Sequence, residues 1–189
     1  MSASIAIEAG PSGMKVVGFC GPSGVGKTTL IEAVVAGLHR AGQRVSVIKH
    51  AHHGFELDTP GKDSWRHRQA GAFEVLLASS QRLALLREFD AVEALTPHVL
   101  LAELAPCDWA LVEGFRQADL LKVEVWREAL GQPPAYPNDP FIVGLATDRP
   151  DQLPVPTGLP VFALDQPAAL VDHLLAHSAR HLYHPQHHG

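Results

Sequence analysis

Cysteine is scarce in this sequence. Cys20 and Cys107 are the two in 189 residues, and neither has a C-x-x-C partner. A disulfide framework and a four-thiolate zinc site are therefore excluded, and the usage fits a reducing cytoplasm. Basic charge is also in short supply: 15 Lys and Arg stand against 20 Asp and Glu, a net charge of -5. The electrostatic footprint of a nucleic-acid binder is missing. No apolar run reaches the ~18 residues that a membrane helix requires. The first residues show no basic segment leading into an apolar core, so a secretory leader is not expected. Internal repeats are lacking as well. What is there is 46% hydrophobic and 19% charged, enough apolar material for a substantial core and most simply one cytoplasmic domain.

The most informative stretch is Gly21-Pro22-Ser23-Gly24-Val25-Gly26-Lys27-Thr28, which fits the P-loop pattern G-x-x-x-x-G-K-[ST]. Met14 to Cys20 precedes it as an apolar, β-branched run that reads as a buried strand. The residues from Thr29 to Arg40 follow with Leu30, Val34, Val35 and Leu38 at helical spacing, and Gly42 closes the segment. The glycines let the backbone turn with positive φ and approach a ligand. Successive N–H groups then form an anion nest at the helix N-terminus. Lys27 is expected to meet the β- and γ-phosphates, and the Thr28 hydroxyl to ligate Mg²⁺, with Thr29 beside it.

Further along, Arg44–Lys49 reads as a second parallel strand joined by a right-handed crossover. A polar loop over residues 50–61 and a short helix over residues 63–71 come next. The runs 73–78 and 82–87, separated by Ser79-Ser80-Gln81, predict a β-hairpin. A helix is expected over residues 91–104, with an interruption near Pro97. Residues 108–114 form a buried strand, and 121–126 alternate as a half-buried one. A Pro-rich linker covers 131–140. Strands follow at 141–146 and 160–164, then a terminal helix over 167–182 with Leu170, Leu174 and Leu175 inward. The expected fold is α/β, P-loop NTPase-like, with a mostly parallel central sheet flanked by helices and an extra hairpin. Residues 1–13 read as a loose tail, 14–183 as one nucleotide-binding domain and 184–189 as a His-rich tail.

A P-loop needs a strand-end acid to position Mg²⁺ or its waters. Asp58-Thr59-Pro60-Gly61 matches a D-x-x-G box, but no continuous buried strand precedes it. Glu113 follows the apolar run from Trp109 to Val112 and takes the role here, with Asp58 as a loop residue that reaches the metal through water.

The segments Lys49-His50-Ala51-His52-His53, Asp58-Thr59-Pro60-Gly61-Lys62-Asp63-Ser64 and Gln69-Ala70-Gly71-Ala72 closely resemble one P-loop family. It is the GTP-binding adaptor of molybdopterin guanine dinucleotide biosynthesis. Leu111-Val112-Glu113-Gly114-Phe115 is similar to its acid-bearing strand, and Ala146-Thr147-Asp148-Arg149-Pro150 to its loop after the next central strand. The resemblance spans about residues 14–165 and implies GTP with Mg²⁺, weak hydrolysis and a homodimer. It also implies assistance to the guanylyltransferase that attaches GMP to the molybdenum-bound pterin; contact with molybdopterin itself stays open. Preference for guanine is implied by the resemblance, since no N-K-x-D box is present. Thr147 and Asp148 are the candidate base contacts.

Twelve histidines raise a metal hypothesis, imidazole being a ligand for Zn, Ni and Cu. No cysteine accompanies His50, His52 and His53, so these and Lys62 are assigned to a polar pocket beside the phosphates. His181, His184, His187 and His188 are expected to be solvated. Arg66 and Arg68 read either as a solvated helix face or as anion ligands. Two rival functions share the P-loop: a small-molecule kinase, against which the arginine-free stretch 131–140 counts, and a metallochaperone GTPase argued from the histidines alone.

Overall fold

Six of the chain's runs rich in valine, isoleucine, leucine and aromatic residues become the strands of one parallel sheet. The computed structural model describes residues 13–51, 54–90 and 95–184. In chain order the elements are β1 (Lys15–Cys20), α1 (Lys27–Arg40), β2 (Val45–Lys49), α2 (Asp63–Gln69), β3 (Glu74–Ala78), β4 (Leu83–Arg87) and α3 (Pro97–Ala102). They continue with β5 (Trp109–Glu113), β6 (Lys122–Trp126), β7 (Ile142–Thr147), β8 (Val161–Ala163) and α4 (Pro167–Ala176). The chain divides into two compact units, residues 1–50 with 96–189 and residues 51–95.

The first unit holds the sheet in the order β2-β5-β1-β6-β7-β8, with all five neighbouring pairs parallel. Side chains alternate across it. Val17, Phe19, Trp109 and Leu111 join Leu30, Ile31, Val34 and Leu38 of α1 and Leu170 and Leu174 of α4 in one core. Val16, Ile48, Ala110 and Val112 pack with Met14 and with Leu101 of α3 in a second. At Gly37 the helices α1 and α4 come close: a Cβ there would lie 2.7 Å from Val171 Cγ2. The parallel α/β expectation is met, and the second unit contains the expected hairpin, β3 paired antiparallel with β4.

Five details differ from the sequence expectations. The run 121–126 alternates as a half-buried strand does, yet every residue of β6 is buried, including Lys122 and Glu124. The physical reason is satisfaction in place. Lys122 Nζ donates to Arg116 O (2.7 Å) and Ala118 O (2.9 Å) and pairs with Asp139 Oδ2 at 2.8 Å. Glu124 accepts from the N–H groups of Ala135 (2.7 Å) and Tyr136 (2.8 Å), and Trp126 Nε1 donates to Gln132 O at 2.9 Å. The Pro-rich stretch is thus pinned by β6 and is no slack linker.

The helix expected over 91–104 starts at Pro97, where Thr96 Oγ1 accepts from Val99 N at 3.3 Å. This is an N-cap with proline at the first turn, the arrangement such a sequence favours; residues 91–94 lie outside the described residues. The terminal helix stops at Ala176 and gives way to a 3₁₀ turn over Ser178–His181. Within that turn His181 is buried rather than solvated. Its ring packs by Trp109, and Nδ1 lies 3.2 Å from Val16 O. Burial pushes its pKa down, as expected when an imidazole loses water. Cys20 is buried too, its thiol pushed up to about 12 by the same cause, so it packs as a small neutral group.

Lys122→Ala would strand Asp139 and two carbonyls, and would open a void against Gly18, whose added Cβ would meet Lys122 Cγ at 2.7 Å. We expect a loss of about 3 kcal/mol in unfolding free energy. A urea titration reads it as a lowered midpoint at constant slope, and an unchanged midpoint would show that the buried ammonium is not structural.

Candidate nucleotide-binding site

The turn from β1 into α1 has the glycine conformations that the pattern demands. Gly21, Gly24 and Gly26 have φ of 136, 76 and 105°, values in the left-handed region that side-chain-bearing residues avoid. At Gly21 a Cβ would also run into the carbonyl of Val125 on β6. Gly26 is the N-cap of α1, and no side chain caps the helix, which leaves its first N–H groups for an anion. No acidic residue stands in the first turn. Val25 is fully buried and anchors the loop, whereas Ser23, Gly24, Thr28 and Thr29 are exposed and Pro22 half-buried.

Lys27 Nζ donates to Gly21 O (3.0 Å) and Pro22 O (2.8 Å), which holds the ammonium against the loop. Burial lowers its pKa below the usual lysine range, with the Glu113 charge opposing that shift. Thr28 Oγ1 donates to Glu113 Oε1 at 2.8 Å. Glu113 comes to this place because β5 lies between β1 and β2, with Phe19, Glu113 and Lys49 level in the register. Lys49 Nζ approaches the other carboxylate oxygen at 3.5 Å. The acid is 8% exposed, so water screens its charge little.

A hydroxyl and a carboxylate 2.8 Å apart beside a nest of N–H groups fit Mg²⁺ held between protein oxygens and phosphate. Thr28 and Glu113 are the residues that would hold it. Among the described residues no cluster of three or more His, Cys, Asp or Glu could hold a metal by itself.

His50 follows β2 directly. Its N–H donates to Glu113 O at 3.0 Å, and its ring lies 4.6 Å from that of Phe115. Phe115 (φ 44°) and Gly114 (φ 96°) both take left-handed backbone at the turn after the acid, and a Cβ on Gly114 would sit 2.9 Å from His50 Cβ. His52 and His53 lie outside the described residues.

Asp58 and Lys62 belong to the second unit. There Asp58 Oδ1 accepts from Thr59 N (3.0 Å) and Ser64 Oγ (2.7 Å), while Oδ2 lies 3.5 Å from Arg68 NH1. Arg68 also pairs with Glu56 and Glu88 at 2.7 and 2.5 Å, so it ties together residues of its own unit. Lys62 is exposed at the N-cap of α2.

Thr147 ends β7 and Asp148 follows it directly. Thr147 is buried, and its Oγ1 accepts from Arg149 N at 3.3 Å. Asp148 is exposed and pairs with Arg127, a residue that sequence reasoning missed. Arg127 Nε donates to Val25 O of the P-loop at 2.9 Å. The signal was its position directly after a strand, at the C-terminal edge where α/β sheets bind ligands.

With this geometry in view, comparison with known proteins is decisive. The family described as MobB, Molybdopterin guanine dinucleotide synthesis protein B, matches residues 16–148. The chain belongs to the MobB family. A molybdopterin-guanine dinucleotide biosynthesis adapter protein from Escherichia coli K12 is 36% identical over 150 residues, covering 78% of this chain and 86% of that protein. Its counterpart from Haemophilus influenzae is 35% identical over 163 residues, 86% and 90% of the two chains. Among solved structures, MobB of Bacillus subtilis aligns with a TM-score of 0.66 at 27% identity, covering 86% of this chain and 96% of that one. The P-loop, Glu113 and Asp148 all fall within the matched span.

Glu113→Gln should leave nucleotide binding within about threefold and slow Mg²⁺-dependent hydrolysis at least about tenfold, because an amide is a poor ligand for a hard cation. Asp58→Asn, whose contacts serve its own unit, should slow it less. Single-turnover hydrolysis ranks the two, and the reverse order would move the metal role to Asp58.

Proposed function

We propose that this chain is a GTP-binding adaptor that assists the guanylyltransferase forming molybdopterin guanine dinucleotide. The observation that carries the reading is the Thr28–Glu113 contact at a P-loop in a chain of the MobB family. Relatives named as adapter proteins of this pathway support it. Within the site, the N–H groups at the start of α1 and Lys27 bind the phosphates. Thr28 and Glu113 would hold Mg²⁺, which would supply charge neutralisation at the phosphates. Thr147 and Asp148 take the base contacts. No further acid–base pair is assigned, so hydrolysis by the chain alone is slow.

The adaptor acts as a homodimer in the cytoplasm. Support for self-association comes from β3–β4, where Leu76, Leu83 and Leu85 share one face by register and are 60, 67 and 41% exposed. A two-stranded sheet by itself is marginal in water, and an exposed apolar sheet face invites a partner. No helix among the described residues is long and apolar enough to cross a membrane.

The test is reconstitution. Purified guanylyltransferase with GTP, Mg²⁺ and molybdenum-bound pterin should form the dinucleotide faster when this chain is added, and Lys27→Ala should remove most of that gain. Sedimentation of the same preparations should give twice the single-chain mass. Equal rates with and without the chain would contradict the adaptor role, and a single-chain mass would remove the dimer.

A further inference from the structure

Arg127 is the one described side chain that joins the phosphate loop to the loop carrying Asp148. Its Nε donates to Val25 O (2.9 Å) and its NH1 lies 3.4 Å from Asp148 Oδ2. A Cβ built on Gly26 would stand 3.5 Å from NH2, so the guanidinium lies along the P-loop backbone. The next residue repeats the link without reaching the P-loop: Glu128 Oε2 accepts from Arg149 NH1 at 2.6 Å. Two ion pairs therefore tie the end of β6 to the end of β7, and only the first extends to the phosphate loop.

The sheet order gives this link a direction. β5 and β6 flank β1 on opposite sides. Thr28 and Glu113 mark the metal end of the phosphates on the β5 side. The nucleoside must then leave over β6 and β7, where Arg127 and Asp148 stand. A carboxylate can accept from both N1–H and the 2-amino group of guanine, a donor pair that adenine lacks on that edge. It can do so only if its distance from the phosphate anchor is fixed. A planar guanidinium bonds two partners at once in a set geometry, whereas a lysine ammonium on this stem serves as a point charge.

We propose that Arg127 is a positioning residue: it fixes Asp148 relative to the phosphate loop and thereby sets the preference for guanine over adenine nucleotides. The inference rests on the reading that the P-loop holds GTP with its base toward Asp148. Arg127 bonds neither Thr28 nor Glu113; it acts through the Val25 carbonyl and the Asp148 carboxylate.

The experiment titrates the full chain with GDP, ADP and inorganic pyrophosphate, in wild type, Arg127→Ala, Arg127→Lys and Arg149→Ala. Thermal midpoints run alongside. Arg127→Ala should weaken GDP binding about tenfold while weakening pyrophosphate and ADP much less, so the GDP-to-ADP ratio collapses. Arg127→Lys, which retains charge and fills the site should the alanine variant fold poorly, should show the same collapse because a compact ammonium cannot reproduce the planar fork that spans Val25 O and the Asp148 carboxylate. Arg149→Ala should leave the ratio unchanged, since its pair does not reach the P-loop. An unchanged ratio in both Arg127 variants, even with weaker binding of all three ligands, would overturn the inference and reduce Arg127 to a support of the loop. Wild type that binds GDP and ADP equally would overturn it as well. Wild type that binds none of the three would overturn the nucleotide reading itself, a failure seen before any variant is made.

Discussion

Three strands that end level hold this site together. β1 is paired with β5 and β5 with β2 in parallel, so Phe19, Glu113 and Lys49 share one line across the sheet. Because β1 feeds the P-loop, the level ends bring Thr28 within 2.8 Å of a carboxylate 85 residues later in the chain. A one-residue slip of β5 would send Glu113 to the opposite face, since side chains alternate with period two. The fully buried Trp109, Ala110 and Leu111 guard against that slip, each committed to one of two cores on opposite faces of the sheet. Register in the core is thus what positions the Thr28–Glu113 pair.

The other side of β1 is held by polar chemistry. Lys122 and Glu124 lie on one face of β6 and are satisfied by the loops they organise, 116–118 and 135–139. Their fixed geometry carries β6 to its end at Trp126, and so sets where Arg127 begins. A buried ion pair of this kind costs desolvation, and its return is definition of geometry more than stability. Here the defined object is the edge that carries Arg127 and, through β7, Asp148.

Much of this was legible in the sequence. The P-loop glycines, Lys27 and Thr28 announce a local conformation that needs no tertiary context, and the apolar run before Glu113 identifies it as a strand end. The adaptor family was legible from Lys49 to Ala72, and membership is now established. The remainder depended on long-range partners. Alternation in residues 121–126 implied a wet face because nothing local shows that Asp139, 17 residues on, answers Lys122. The end of α4 and the burial of His181 depend on docking against Val16 and Trp109, more than 70 residues away in sequence. Arg127 carries no motif. Its partners Val25 and Asp148 are brought to it only by strand order.

The proposed adaptor role is most directly expressed if GTP bound at this P-loop governs association with the guanylyltransferase. Linkage makes that claim reciprocal: if GTP strengthens the partnership, the partner must strengthen GTP binding by the same factor. The direct measurement is the affinity of this chain for a non-hydrolysable GTP analogue with Mg²⁺, taken with and without saturating guanylyltransferase. The account predicts tighter binding in the presence of the partner, by the factor with which the analogue tightens the protein complex. Identical affinities would contradict it, leaving a nucleotide-binding protein whose nucleotide does not control the partnership.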